Sequence, residues 1–417
     1  MRNLLVLIDG LADTPQASLG GKTPLEAANT PVLDKLGQAG RVGLLRTVPK
    51  GQAPETQAAL FTILGYPPGP YLTGRGYYEA LAAGIALGEG EWAFRLQLIS
   101  EKDGALADPR GGGISAEEGR ELLAALETQA AHAHVRYVAG YRHNHLLVVE
   151  GTDFAACVTQ SPFGLTGQPL AESLPSGPGS EVLRKLMEEA QVVLSRHDVN
   201  RARALKKLNI ANAIWPWSGG THVEAPGFKK TFGLDAAMVS FSPMFRGVAV
   251  ATGIRVVSPG GAAEQLGEPS GRMAPVDPGA PEKRLTETEE IKRVLESVRG
   301  ALADSGLVIA HFTQPDERSH DGDAQAKIRS IESIDRHFFK PLAKDIEKSG
   351  DVRLTVVPTL MSRVETRQHD ERPVPFLMWG QGVDNSEKLT LTEANAEGSR
   401  LKIEDGTRLI DFIMNGL

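Results

Sequence analysis

A short apolar run at residues 306–311 leads into the polar stretch Gln-Pro-Asp-Glu-Arg-Ser-His-Asp-Gly-Asp at 314–323, then into a long amphipathic segment at 324–348. The apolar run reads as a buried strand. Ile328, Ile331, Ile334 and Phe338 recur at helical spacing, so the last segment reads as one long helix. A loop crowded with Asp and His at the end of such a strand is where open α/β sheets place their chemistry. Asp316 and His320 lie four residues apart, close enough to hold one cation with mixed oxygen and nitrogen ligands. Asp321 and Asp323 fall where the helix begins, which suits capping and dipole compensation.

The N-terminal run at residues 3–8 repeats the pattern, ending on Asp9-Gly10. An Asp there serves either as a turn former or as a ligand. The run is too short for a signal peptide or a membrane span, and no other run reaches membrane length. Cys157 is the one cysteine, which excludes an internal disulfide framework. The expected compartment is the cytoplasm, without a membrane partner. A formal net charge of -7 argues against nucleic acid as a ligand. With 417 residues, two domains are expected.

Strands alternate with helices at both ends of the chain, which predicts a mostly parallel α/β core flanked by helices over residues 1–76 and 218–417. Residues 77–217 change texture and read as a smaller inserted α+β domain. Residues 49–58 read as a polar loop before a helix at 59–64, and 258–283 as an irregular surface loop. Arg75, flanked by Gly74 and Gly76, suits anion binding or an ordinary turn with a surface arginine. Arg110 sits in Asp-Pro-Arg-Gly-Gly-Gly, a loop whose glycines suit mobility as well as anion binding. Arg142 and His143 belong to a basic loop between two short strands.

Several motifs occur in a fixed order: Ile8-Asp9-Gly10; residues 21–28, Gly-Lys-Thr-Pro-Leu-Glu-Ala-Ala; Ile63-Leu64-Gly65-Tyr66; residues 71–76 with Glu79-Ala80; residues 316–323 with Lys327-Ile328 and 331–335; and His369 ahead of Pro373-Val374-Pro375. This order resembles the archaeal-type cofactor-independent phosphoglycerate mutases of the alkaline phosphatase superfamily, over nearly the whole chain. The resemblance implies an alkaline-phosphatase-like core with two divalent ions (manganese, magnesium, zinc or similar), no organic cofactor, and an inserted domain that grips substrate. It also implies interconversion of 2- and 3-phosphoglycerate through a phosphoryl-enzyme. Asp316, His320 and His369 match one metal site, and Asp9 matches the first ligand of the other. Thr56 falls where the family has its nucleophilic serine. Arg75, Arg110, Arg142 and His143 remain as substrate-binding candidates, with a small phosphorylated ligand such as phosphoglycerate as the expected partner.

The departures from the family concentrate at the second metal site. An Asp-His pair is expected there, and Thr359 and Leu360 stand in its place. Leucine cannot bind a cation, and a neutral hydroxyl is a weak substitute for a carboxylate. Asp235 replaces a lysine expected to face phosphate. Pro109, Gly113 and Trp217 stand where further arginines are expected, and Ser161-Pro162-Phe163 replaces Asp-Pro-His. These losses predict one ion rather than two and weak or absent mutase activity, with His311 or Glu55 as compensating groups if activity survives. The alternatives are a non-catalytic binding or regulatory descendant, and a single-metal hydrolase or transferase of another phosphoryl or sulfuryl ester.

Overall fold

The computed structural model describes residues 1–129, 132–259, 285–384 and 386–416. By internal contacts the chain forms two compact units. Of the described residues, one comprises 1–72 together with those from 225 onward, and the other is built on Thr73–Glu224. In chain order the strands are β1 (Arg2–Ile8), β2 (Arg41–Leu45), β3 (Glu91–Lys102), β4 (Ala105–Asp108), β5 (Val135–Tyr141), β6 (Asn144–Glu150), β7 (Ala213–Thr221) and β8 (Ala236–Val239). They continue with β9 (Arg255–Val257), β10 (Leu307–Phe312), β11 (Val352–Val357), β12 (Met361–Arg363), β13 (Gln368–Asp370), β14 (Val374–Gly380) and β15 (Lys402–Ile403).

The first unit is a mixed, mostly parallel α/β structure with sheet order β15-β2-β14-β11-β1-β10-β8-β9. β1 runs parallel to β10 and β11, β8 parallel to β10 and β9, and β14 antiparallel to β11 and β2. Every residue of β10 and β11 is buried, because helices cover both faces of the central strands. Leu4, Val6, Val308 and Ala310 share one core with Ile331, Ile334 and Phe338. Since β1 and β10 are parallel neighbours, Asp9 and the segment after Phe312 emerge at the same edge of the sheet.

Four local expectations need correction. Residues 314–323 are not a loop: Gln314–Asp321 is a helix, with Pro315 in its first turn and Gly322, at φ 77°, ending it. Asp323 caps the next helix by accepting from the Ala326 N–H at 2.8 Å, but Asp321 ends the previous helix and pairs with Arg318 at 3.4 Å. The long helix at 324–348 is broken into Ala324–Ile334, a wide π turn at Asp335–Phe339, and Lys340–Ser349. Pro341 has no N–H for the α-helical ladder, and the wide turn ahead of it takes up the mismatch. The helix expected at 59–64 already begins at Thr56, with extended Glu55 before it, so Thr56 is a helical residue rather than part of a loop. The expected surface loop at 258–283 lies outside the described residues from 260 onward.

In the second unit β3 pairs antiparallel with β4, β6 and β7, and β6 pairs with β5. The helices Ala116–Gln129 and Ser180–Ser195 bury Leu122, Leu126, Leu183 and Leu186 against Phe94, Leu96 and Leu147 of this sheet. Ser115 and Glu118 form the expected capping box, at 2.7 and 3.1 Å. Among the described residues no helix is long and apolar enough to cross a membrane.

Candidate metal centre and active site

Asp316 and His320 share one face of their short helix, as the i, i+4 spacing dictates. His369 approaches from β13. His369 Nε2 lies 3.1 Å from Asp316 Oδ1, and His320 Nε2 lies 3.3 Å from Asp316 Oδ2. One ligand atom from each of the three residues falls within 4.8 Å of the others. Burial raises the Asp316 pKa, but the hydrogen bonds and charge of the two imidazoles outweigh it and hold the carboxyl far below its usual range. The hydrogen bond to Asp316 raises the His320 pKa against partial burial.

The donor set fits a divalent ion. Two imidazole nitrogens and a carboxylate need only small rotations to reach the ~2.0–2.2 Å that a zinc-like ion requires. His320 Nδ1 lies 3.0 Å from the Arg367 carbonyl. Donation there assigns the proton to Nδ1 and leaves the Nε2 lone pair for the ion.

Supporting groups sit directly behind these three side chains. Ser362 is the cross-strand partner of His369, and its hydroxyl donates to Asp316 Oδ1 at 2.5 Å. The Ser362 carbonyl accepts from Lys327 Nζ at 2.7 Å, and the same ammonium lies 2.7 Å from Asp13 Oδ2. The Lys327 and Asp13 side chains are fully buried. Asp13 also accepts from the backbone N–H groups of Thr14 and Val364, at 2.7 and 3.2 Å. The Asp13 N–H donates to Glu393, whose other oxygen accepts from Thr23 at 2.8 Å.

Asp9 is close by but differently occupied. Gly10 adopts φ 74°, and a Cβ there would fall 2.4 Å from the Asp316 N atom. Only glycine lets the end of β1 approach the Asp316 helix this closely. Asp9 does not join the three-residue cluster. Its Oδ1 accepts a short hydrogen bond from the Thr359 hydroxyl, and its Oδ2 lies 2.9 Å from His311 Nε2. His311 Nδ1 lies 2.8 Å from Ser240 Oγ, which accepts from the Ser242 N–H at 3.0 Å. The arrangement suits a Ser240 hydroxyl that donates to Nδ1 and an Nε2–H that donates to Asp9. Phe245 stacks on the imidazole at 3.5 Å and 11°. Both oxygens of Asp9 are thus held by side chains of the protein itself.

Leu360, 1% exposed, packs with Val48 and Ala59 in a small apolar cluster. Ala59 lies one turn after Thr56 on the same helix, so leucine adjoins the helix face that carries this half-buried hydroxyl. The expectation for Asp235 is overturned. It precedes β8 at the amino-terminal edge of the sheet, with its carbonyl accepting from the Gly306 and Leu307 N–H groups. Six residues of strand, roughly 20 Å, separate that edge from Phe312 and Asp9. The Asp235 carboxylate is exposed and paired with Lys229 at 2.9 Å.

In the second unit the anion-binding candidates form one electrostatic cluster. Glu79 holds Arg95 at 3.0 Å and Arg75 at 3.5 Å. Arg142 donates Nε–H to the Ile114 carbonyl at 3.1 Å from a hairpin turn at φ 58°. Burial first, then the charges of Arg110 and Arg142, push the His143 pKa down to about 4. Sequence reasoning missed Arg95, Ser362 and the Asp13–Lys327 pair. Lys327 had a signal, since it lies four residues before Ile331 on the apolar side of a helix.

A family model described as 2,3-bisphosphoglycerate-independent phosphoglycerate mutase matches residues 37–200. A 2,3-bisphosphoglycerate-independent phosphoglycerate mutase of Methanothrix thermoacetophila is 34% identical over 417 residues, covering 100% of both chains. A probable enzyme of the same description from Geobacter sulfurreducens is 32% identical, again over 100% of both. Among solved structures, the PH0037 protein from Pyrococcus horikoshii matches with TM-score 0.75 and 26% identity, over 99% of this chain and 96% of that one. A cofactor-independent phosphoglycerate mutase from Thermoplasma acidophilum matches with TM-score 0.59 and 24% identity, over 99% and 98%, and supports the fold alone.

Proposed function

The chain belongs to the 2,3-bisphosphoglycerate-independent phosphoglycerate mutase family, and we propose that it binds one divalent ion, takes a small phosphorylated ligand, and performs the mutase reaction weakly or not at all. The family is metal-dependent and acts on phosphoglycerate. In this reading Asp316, His320 and His369 hold the ion. Bound there, it supplies positive charge for phosphoryl oxygens. Arg75, Arg110, Arg142 and His143 of the inserted unit take the ligand's anionic groups, and Thr56 is the position of the phosphoryl acceptor. The compartment is the cytoplasm, in keeping with the single cysteine.

One observation carries the reading: both oxygens of Asp9 are occupied by Thr359 and His311, and Leu360 is apolar. A threonine hydroxyl has a pKa far above neutrality and needs a cation or base beside it to attack at pH 7. With Asp9 closed and leucine alongside the helix of Thr56, that activation is missing. The intact three-ligand centre beside a closed Asp9 also favours a second reading, a non-catalytic binder or a single-metal hydrolase or transferase of another phosphoryl or sulfuryl ester. A coupled assay with 3-phosphoglycerate and saturating manganese tests the first. Turnover well below ~1 per second is expected; ordinary rates of about 1–1000 per second would refute it.

A further inference from the structure

The second unit carries a row of two aromatic rings flanked by two guanidinium groups. Arg95 Cζ stands 4.4 Å from the centroid of the Trp217 ring. Trp217 meets Phe163 edge-on at 6.5 Å and 73°. Phe163 lies beneath Arg110, whose Cζ is 6.0 Å from the ring centroid. Trp217 is nearly buried, with its indole N–H donating to Gln97 at 3.3 Å, whereas Phe163 is 42% exposed. It is the one aromatic side chain among the exposed large hydrophobics of the described residues. The Arg142-His143 turn adjoins this patch through β3: the Leu98 N–H donates to the His143 carbonyl at 2.9 Å, and Gln97, which accepts from Trp217, donates to the Pro109 carbonyl at 3.0 Å.

A phosphate on a short polar carbon chain offers Phe163 nothing to cover. A flat ring does, by edge or face contact with Phe163 while its anionic end meets the guanidiniums. We propose that this patch binds a phosphate monoester carrying an aromatic ring, with the phosphate on Arg110 and Arg142 and the ring against Phe163 beside Trp217. The proposal rests on the reading that this unit grips the phosphorylated ligand, and it narrows that ligand to a class. Phe163 is then a specificity-determining residue, and its exposure to solvent is the open half of a ring-binding platform.

Calorimetric titration of the full-length protein with phenyl phosphate and with glycerol 2-phosphate, at one fixed manganese concentration, separates ring from anion. Phenyl phosphate is expected to bind about tenfold more tightly. Phe163→Ala should abolish that preference, leaving the glycerol 2-phosphate affinity and the melting temperature unchanged. Arg110→Ala should weaken both esters alike. Equal affinities in the wild-type protein, or a Phe163→Ala variant that keeps the preference, would overturn the ring platform while leaving the anion grip standing. If neither ester binds, the anion grip itself fails and the ring platform falls with it.

Discussion

His311 Nε2 stands 2.9 Å from Asp9 Oδ2 while Thr359 closes the other oxygen, so the carboxylate at the end of β1 is satisfied by protein donors alone. An ion at Asp9 would have to displace both donors and would gain no replacement ligand from Leu360. Thr359→Asp combined with Leu360→His restores a carboxylate and an imidazole at those positions. The double variant should bind one more ion per chain and show raised mutase turnover, while each single variant should do little, because the groups act as a unit. A double variant with unchanged ion content would count against this account of Asp9.

Ser362 touches the candidate centre through its hydroxyl, 2.5 Å from Asp316 Oδ1. Removing a group that orients a metal ligand typically lowers affinity about 10–100-fold. Ser362→Ala should do so in a manganese titration, with circular dichroism unchanged. His369→Ala removes one of the three proposed ligands outright and should weaken binding further.

Lys327 and Asp13 form a buried ion pair whose ammonium also anchors the β12–β13 hairpin through the Ser362 carbonyl. Lys327→Met leaves the Asp13 carboxylate buried without its cation. The expected loss is about 3–5 kcal/mol in urea unfolding, since the remaining charge cannot reach water. A loss below about 1 kcal/mol, typical of an exposed pair, would contradict it.

Burial raises the Glu393 pKa from 4.5 to about 7, against the hydrogen bonds that it accepts from the Asp13 N–H and Thr23. Folding therefore favours its protonated form. The associated stability is fully present below pH ~4.5 and is lost as the pH rises through about 7, roughly 3 kcal/mol in all. Glu393→Gln keeps the shape without the titration. The stability difference between Glu393→Gln and wild type should widen in favour of the variant from pH 5 to pH 8; a flat difference would show that Glu393 stays ionised.

The sequence revealed what depends on local pattern. β1 and β10 were legible because strands buried on both faces are continuous apolar runs, and Asp316 with His320 because four residues make one helical turn. The fate of Asp9 was not legible, since its partners His311 and Thr359 lie 302 and 350 residues away and meet it only through parallel strand pairing. Asp235 was misassigned because its place before a strand says nothing about phosphate until the strand's direction is considered. Its position at the amino-terminal edge, opposite Asp9, could have been read from that direction. Counting along the chain missed Ser362, whose hydroxyl matters only because β12 pairs it with His369.

The number of manganese ions retained per chain, measured by equilibrium dialysis at saturating metal and mass spectrometry of the dialysed protein, tests the central claim most directly. The account predicts one ion, abolished by Asp316→Asn and unaffected by Asp9→Asn. Two ions per chain, one of them lost in Asp9→Asn, would contradict it.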